Sequence, residues 1–96
     1  MAVMEFDSAV LRLREGDHVG VLKKTVKAGT ELRDGAKTLT VAMTIPGGHK
    51  IALQSVGQGE PVRKYGQIIG FAQGDIAAGE HVHTHNLVCR DYEREH

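Results

Sequence analysis

Val26-Lys27-Ala28-Gly29-Thr30-Glu31-Leu32, Ile45-Pro46-Gly47-Gly48-His49-Lys50-Ile51, Val56-Gly57-Gln58-Gly59-Glu60-Pro61-Val62 and Ile76-Ala77-Ala78-Gly79-Glu80-His81-Val82 are four segments built on one plan. Each opens on a β-branched residue, reaches a glycine three positions later and an apolar residue three positions after that. A glycine so placed suits a turn that needs positive φ, with a strand starting just beyond it. The glycines at 29, 48, 59 and 79 are 19, 11 and 20 residues apart, which reads as a recurring turn device rather than a solenoid period.

The sequence around these turns supports the same reading. Leu39-Thr40-Val41-Ala42-Met43 and Glu80-His81-Val82-His83-Thr84-His85 alternate with period two, and Gly16-Asp17-His18 supplies a turn before Val19-Gly20-Val21-Leu22. No window between Val19 and Leu87 sustains the three-or-four spacing of an amphipathic helix. The fold class is therefore mostly β, a small coiled arrangement of short strands and glycine turns with little helix. Any helix is expected between Thr25 and Lys37 or in the charged tail.

With 96 residues the chain makes one domain, and a domain this small buries only roughly 60–65% of the surface its unfolded form exposes. We place that domain at 10–89 and read 90–96, Arg-Asp-Tyr-Glu-Arg-Glu-His, as a solvated tail or the start of a linker to a second domain or chain. Twelve basic residues balance twelve acidic ones, which argues against nucleic acid or anionic lipid as the partner. No stretch is apolar over the roughly 18–20 residues a membrane span requires, and Met1 to Phe6 lacks the pattern of a secretion signal. One cysteine, Cys89, excludes an internal disulfide and fits a reducing, cytoplasmic compartment; it reads as a small packing residue.

Six histidines are the unusual entry in the composition, and three of them, His81, His83 and His85, fall within five positions. On a strand all three project from one face, with Val82 and Thr84 on the other. At about 3.3 Å per residue the backbones of His81 and His85 stand roughly 13 Å apart, too far to reach one ion from a straight strand. The row supports a two-histidine chelate completed by ligands from elsewhere, or an exposed polar strand face. His49-Lys50, after the Pro46-Gly47-Gly48 turn, suits an anion or carboxylate site or a turn facing water. Arg63-Lys64-Tyr65-Gly66 is a second small basic patch in which Tyr65 serves equally as a core plug, and His18 is a weaker candidate of the same kind. A phosphate-binding glycine loop, H-E-x-x-H, G-x-S-x-G and a dinucleotide fingerprint are all absent.

Three stretches, Ile45-Pro46-Gly47-Gly48-His49-Lys50-Ile51-Ala52-Leu53, Lys64-Tyr65-Gly66-Gln67-Ile68-Ile69-Gly70 and Asp75-Ile76-Ala77-Ala78-Gly79-Glu80-His81-Val82-His83-Thr84-His85-Asn86-Leu87, together resemble the N-terminal domain of the altronate/galactarate dehydratase family. The same small domain serves as a separate subunit in related lyases such as sulfolactate sulfo-lyase. The resemblance runs from about Gly16 to Tyr92 and implies a SAF-type β-clip fold. It also implies dehydration of a sugar acid to a 2-keto-3-deoxy acid, with dependence on a divalent metal, iron or manganese.

The residues at the family's motif positions are His49, Lys50, Lys64, Tyr65, His81, His83, His85 and Asn86. The resemblance gives them a collective pocket-lining role: His49, Lys50 and His81 catalytic, Lys64, Tyr65 and Asn86 binding substrate, and His83 and His85 facing the metal. Gly47-Gly48 replaces the family's more usual single glycine. Full-length members continue into a large second domain, so the expected partner is a large catalytic domain or subunit of the same enzyme, with a homo-oligomer also open. The alternative is a non-catalytic module that binds a carbohydrate acid or joins subunits.

Overall fold

Every one of the four glycine turns closes in the same way in the computed structural model, which describes residues 2–11, 17–64, 67–83 and 86–88. The amides of Thr30, His49, Glu60 and Glu80 donate to the carbonyls of Lys27, Pro46, Gly57 and Ala77 at 3.2, 3.2, 3.0 and 3.1 Å. The third residues, Gly29, Gly48, Gly59 and Gly79, have φ of 86°, 87°, 81° and 94°, the signature of type II turns. A side-chain oxygen one residue before the β-branched position caps three of them. Thr44 Oγ1 accepts from Ala28 N–H and Thr25 Oγ1 from Gly47 N–H, both at 3.1 Å, and Asp75 Oδ1 accepts from Gln58 N–H at 2.9 Å.

The turns work in pairs. Isolated bridges join Val26 to Ile45 and Val56 to Ile76, both antiparallel. Within the first pair, Gly29 N–H donates to Val41 O and Val41 N–H returns to Thr30 O, while Gly48 N–H donates to Leu22 O and Leu22 N–H returns to His49 O, all at 2.8–2.9 Å. The second pair repeats this reciprocal grip on Ala72 and Ala52 at 2.8–3.0 Å. Gly47 needs its lack of a side chain for a separate reason: a Cβ there would stand 3.0 Å from the Lys24 Cα, where the two turns cross.

The strands follow from this frame. In chain order they are β1 (Val3–Glu5), β2 (Val10–Leu11), β3 (Val19–Leu22), β4 (Glu31–Asp34), β5 (Lys37–Thr40), β6 (Lys50–Ala52), β7 (Pro61–Lys64), β8 (Gln67–Ala72), β9 (His81–Val82) and β10 (Leu87–Val88). They form three sheets ordered β1-β4-β5, β10-β8-β7 and β2-β3-β6-β9, antiparallel except for the β1–β4 pair. The fold class read from the sequence is thus observed, and Val19–Leu22 is the strand expected. Helix is confined among the described residues to α1, Phe6–Ala9. The expected helix between Thr25 and Lys37 is instead a glycine turn and the β4–β5 hairpin, because Gly29 and Gly35 (φ 64°) interrupt it. The tail, the other place for a helix, lies outside the described residues. No helix among the described residues is long and apolar enough to cross a membrane.

Two small cores result, and they are copies of each other. Leu22, Val26, Leu32, Val41, Ile45 and Ile51 in the first core match Ala52, Val56, Val62, Ala72, Ile76 and Val82 in the second, each 30 or 31 residues later. The one-residue drift arises in the β7–β8 hairpin, whose register shifts between Val62 and Arg63, whereas β4–β5 pairs without a break. Strand β6 separates the cores, with Ile51 in the first and Ala52 in the second. Phe6, Ala9 and Val10 close the first core, and Val19 joins the second.

Candidate functional site

The pairing of β6 with β9 sets the site. Its register is Lys50↔Val82 and Ile51↔His81, so the antiparallel run brings His49, the last residue of the second turn, toward His83. His49 Nδ1 lies 2.9 Å from His81 Nε2, and the ring centroids of His49, His81 and His83 are 5.0, 5.1 and 5.4 Å apart in the three pairings. One ring nitrogen from each residue falls within 4.8 Å of the others. His49 and His81 are half-buried, and His83 is exposed, so the cluster opens to solvent on one side.

Two imidazole nitrogens bound to one ion at about 2.0–2.1 Å with tetrahedral angles stand roughly 3.3 Å apart. The observed separations straddle that value, and three neutral imidazoles form a donor set suited to iron and other first-row metals. The residues present therefore fit a divalent transition ion. Without one, the 2.9 Å contact is a hydrogen bond in which one ring nitrogen donates a shared proton and the other accepts it.

The other residues singled out in the sequence are placed as follows. Lys50 pairs with Val82, and that pair alternates along the ladder with Ile51↔His81, so positions 50 and 81 leave the sheet on opposite faces. Lys64 ends β7 and pairs with Gln67, in a different sheet from the histidines. Asn86 has its side chain against backbone: Nδ2 donates to His81 O at 2.7 Å, and Oδ1 accepts from His83 N–H at 2.9 Å. His18 faces the second sheet, where Nδ1 accepts from Arg63 N–H at 2.9 Å and the His18 amide donates to Arg63 O at 3.0 Å. Tyr65, His85 and Cys89 lie outside the described residues.

The straight-strand reading of the histidine row needs one correction. Pairing on β9 stops at Val82, and His83 already lies in a bend, so the row is not one continuous strand. His83, expected to face a metal together with His85, is gathered instead with His49 and His81, both expected to be catalytic; His49 comes from the turn just before β6, and His85 lies outside the described residues. The family resemblance already puts His49 in one pocket with His81 and His83, but residue spacing alone cannot, because the two segments are 32 residues apart and meet through the β6–β9 register.

The family model described as "Altronate/galactarate dehydratase SAF domain" matches residues 8–90. The chain is 41% identical over 76 residues to an altronate dehydratase of Escherichia coli (strain K12), covering 79% of this chain and 15% of that protein. It is 38% identical over 78 residues to a (2R)-sulfolactate sulfo-lyase subunit alpha of Chromohalobacter salexigens, covering 74% of this chain and 83% of the relative. A second subunit alpha, from Paracoccus pantotrophus, is 50% identical over 48 residues, covering 50% of this chain and 72% of the relative. The chain thus spans only about 15% of the length of the altronate dehydratases it matches.

Proposed function

The chain belongs to the altronate/galactarate dehydratase SAF domain family, and from that premise we propose that it is the small module of a divalent-metal-dependent lyase that removes water from a sugar acid. Its partner is a large catalytic domain or subunit, and the product is a 2-keto-3-deoxy acid. The observation that carries this reading is the gathering of His49, His81 and His83 into one donor set.

The chemistry explains why such a set is useful. Dehydration takes the proton from the carbon beside the carboxylate and expels hydroxide from the next carbon; the resulting enol tautomerises to the keto acid. Charge accumulates on the carboxylate and α-carbon as the proton leaves; the three imidazoles would hold iron or manganese, which would supply Lewis-acid stabilisation for it. The half-buried His49 and His81 rings hold one proton between Nδ1 and Nε2 when no ion is bound. His83, on the exposed side of the cluster, is the ring that an incoming acid meets first. Lys50 leaves the β6–β9 ladder on the face opposite His81 and Lys64 stands in another sheet, so their charge suits docking of the partner rather than an acid at the cluster.

A second reading has its own support, because the sulfo-lyase relatives match this chain over 83% of the relative's length in one case. Elimination of a sulfonate group from a hydroxy acid begins with the same proton loss and asks the same of the cluster. Turnover assays with a candidate large catalytic chain, and with manganese or ferrous iron, separate the two. A 2-keto-3-deoxy acid formed from altronate or galactarate, and lost with His83→Ala in a folded chain, supports the dehydratase; sulfite release from a sulfonated acid supports the second reading. Full turnover by the large chain alone contradicts both.

A further inference from the structure

We propose that Asn86 is a positioning residue for the histidine cluster, holding His81 and His83 through their backbone; this rests on the reading of the cluster as a metal site. Strand β9 is only two residues long, and its ladder with β6 ends at Lys50↔Val82. His83 therefore lies past the last strand pair, and Asn86 receives both of its backbone groups. The His83 amide donates to Asn86 Oδ1 at 2.9 Å, and the His83 carbonyl accepts from the Asn86 amide at 3.1 Å.

The other end of the same side chain reaches His81, where Nδ2 donates to the carbonyl at 2.7 Å. A single planar amide thus bridges the peptides of two residues whose rings share the site, and it fixes the twist between them. Its orientation is set by its partners, since an N–H needs the oxygen and a carbonyl needs the nitrogen. The clamp is itself anchored: the Asn86 carbonyl accepts from Gln73 N–H at 3.0 Å, and the next residue, Leu87, pairs with Ala72. The arrangement joins the bend at His83 to the second core and leaves the Asn86 side chain directed at backbone rather than at a ligand. Partners hydrogen-bonded to the ligand rings themselves are typically worth 10–100-fold in metal affinity, and Asn86 acts on the same rings through their peptides, with that range as the scale.

Aspartate keeps the oxygen that His83 N–H needs but sets a second oxygen against the His81 carbonyl, and alanine removes both contacts. Cobalt(II) titration of the full chain, read by visible absorption and paired with thermal melts, tests the proposal with wild type, Asn86→Asp and Asn86→Ala. We expect affinity about 10–100-fold weaker with an altered spectrum for alanine, and an intermediate loss for aspartate. A lowered melting temperature with unchanged cobalt affinity and spectrum makes Asn86 a purely structural cap and overturns the proposal; if alanine does not fold, aspartate decides. If wild type binds no cobalt, the metal reading fails on its own. Positioning is then read from imidazole nitrogen NMR: loss of the His49–His81 hydrogen bond in Asn86→Asp supports it, and retention overturns it.

Discussion

Replacing Gly79 by alanine probes the turn device and the site together, and Gly29→Ala is its control. Both glycines hold left-handed backbone, φ 94° and 86°, which costs a residue with a Cβ about 1–2 kcal/mol. At Gly29 nothing lies within 4 Å of an added Cβ, so that cost is the whole effect. At Gly79 the Cβ is driven into the Thr40 carbonyl oxygen, with the Thr40 carbonyl carbon 3.1 Å away. The turn cannot retreat easily, because Gly79 N–H donates to Ala52 O at 2.8 Å and Gly79 O accepts from Ala42 N–H at 3.0 Å. Overpacking of this kind adds about 1–3 kcal/mol, giving roughly 2–5 kcal/mol for Gly79→Ala.

A domain of this size holds about 5–15 kcal/mol in total and loses about 4–8 °C of melting temperature per kcal/mol. Urea and thermal unfolding followed by circular dichroism should therefore show Gly79→Ala clearly below Gly29→Ala, and weaker metal uptake as well, since His81 follows two residues later. Equal losses in the two variants would refute the claim that the Gly79 turn is pressed against Thr40.

Two further outcomes follow from other parts of the structure. Thr44→Val removes the oxygen that accepts from Ala28 N–H, at a cost of about 0.5–1.5 kcal/mol in urea unfolding. Lys50→Ala leaves metal affinity at its wild-type value in calorimetry, because the Lys50↔Val82 pair faces away from the side of the ladder that carries His81.

The four glycine segments were legible because a positive-φ turn tolerates few other residues, and the strand Val19–Leu22 because its apolar run is bounded by turn signals. The duplication behind them was hidden. Leu22 is matched by Ala52 and Val41 by Ala72, so the equivalent core positions share burial but not size, and the shift at Val62/Arg63 breaks a fixed period. The oxygen-bearing residues Thr25, Thr44, Ser55 and Asp75, each one place before a β-branched residue, were the available signal for the repeat. At the site, residue chemistry picked out His49, His81 and His83 separately. Their assembly depends on a strand register between distant segments, which period-two patterns within one segment do not encode. The backbone contacts of Asn86, which the resemblance casts as a substrate-binding residue, were equally hidden, because a side chain bound to backbone leaves no mark in residue spacing.

The most direct test of the metal site is calorimetric titration of the full chain with manganese(II) or, under anaerobic conditions, iron(II), for wild type and His49→Ala. We expect one ion per chain for wild type, and saturable binding lost or severely weakened when His49, in the turn before β6, is removed. Wild-type uptake that is weak and nonstoichiometric, or uptake that His49→Ala leaves unchanged, would contradict a shared site of His49, His81 and His83.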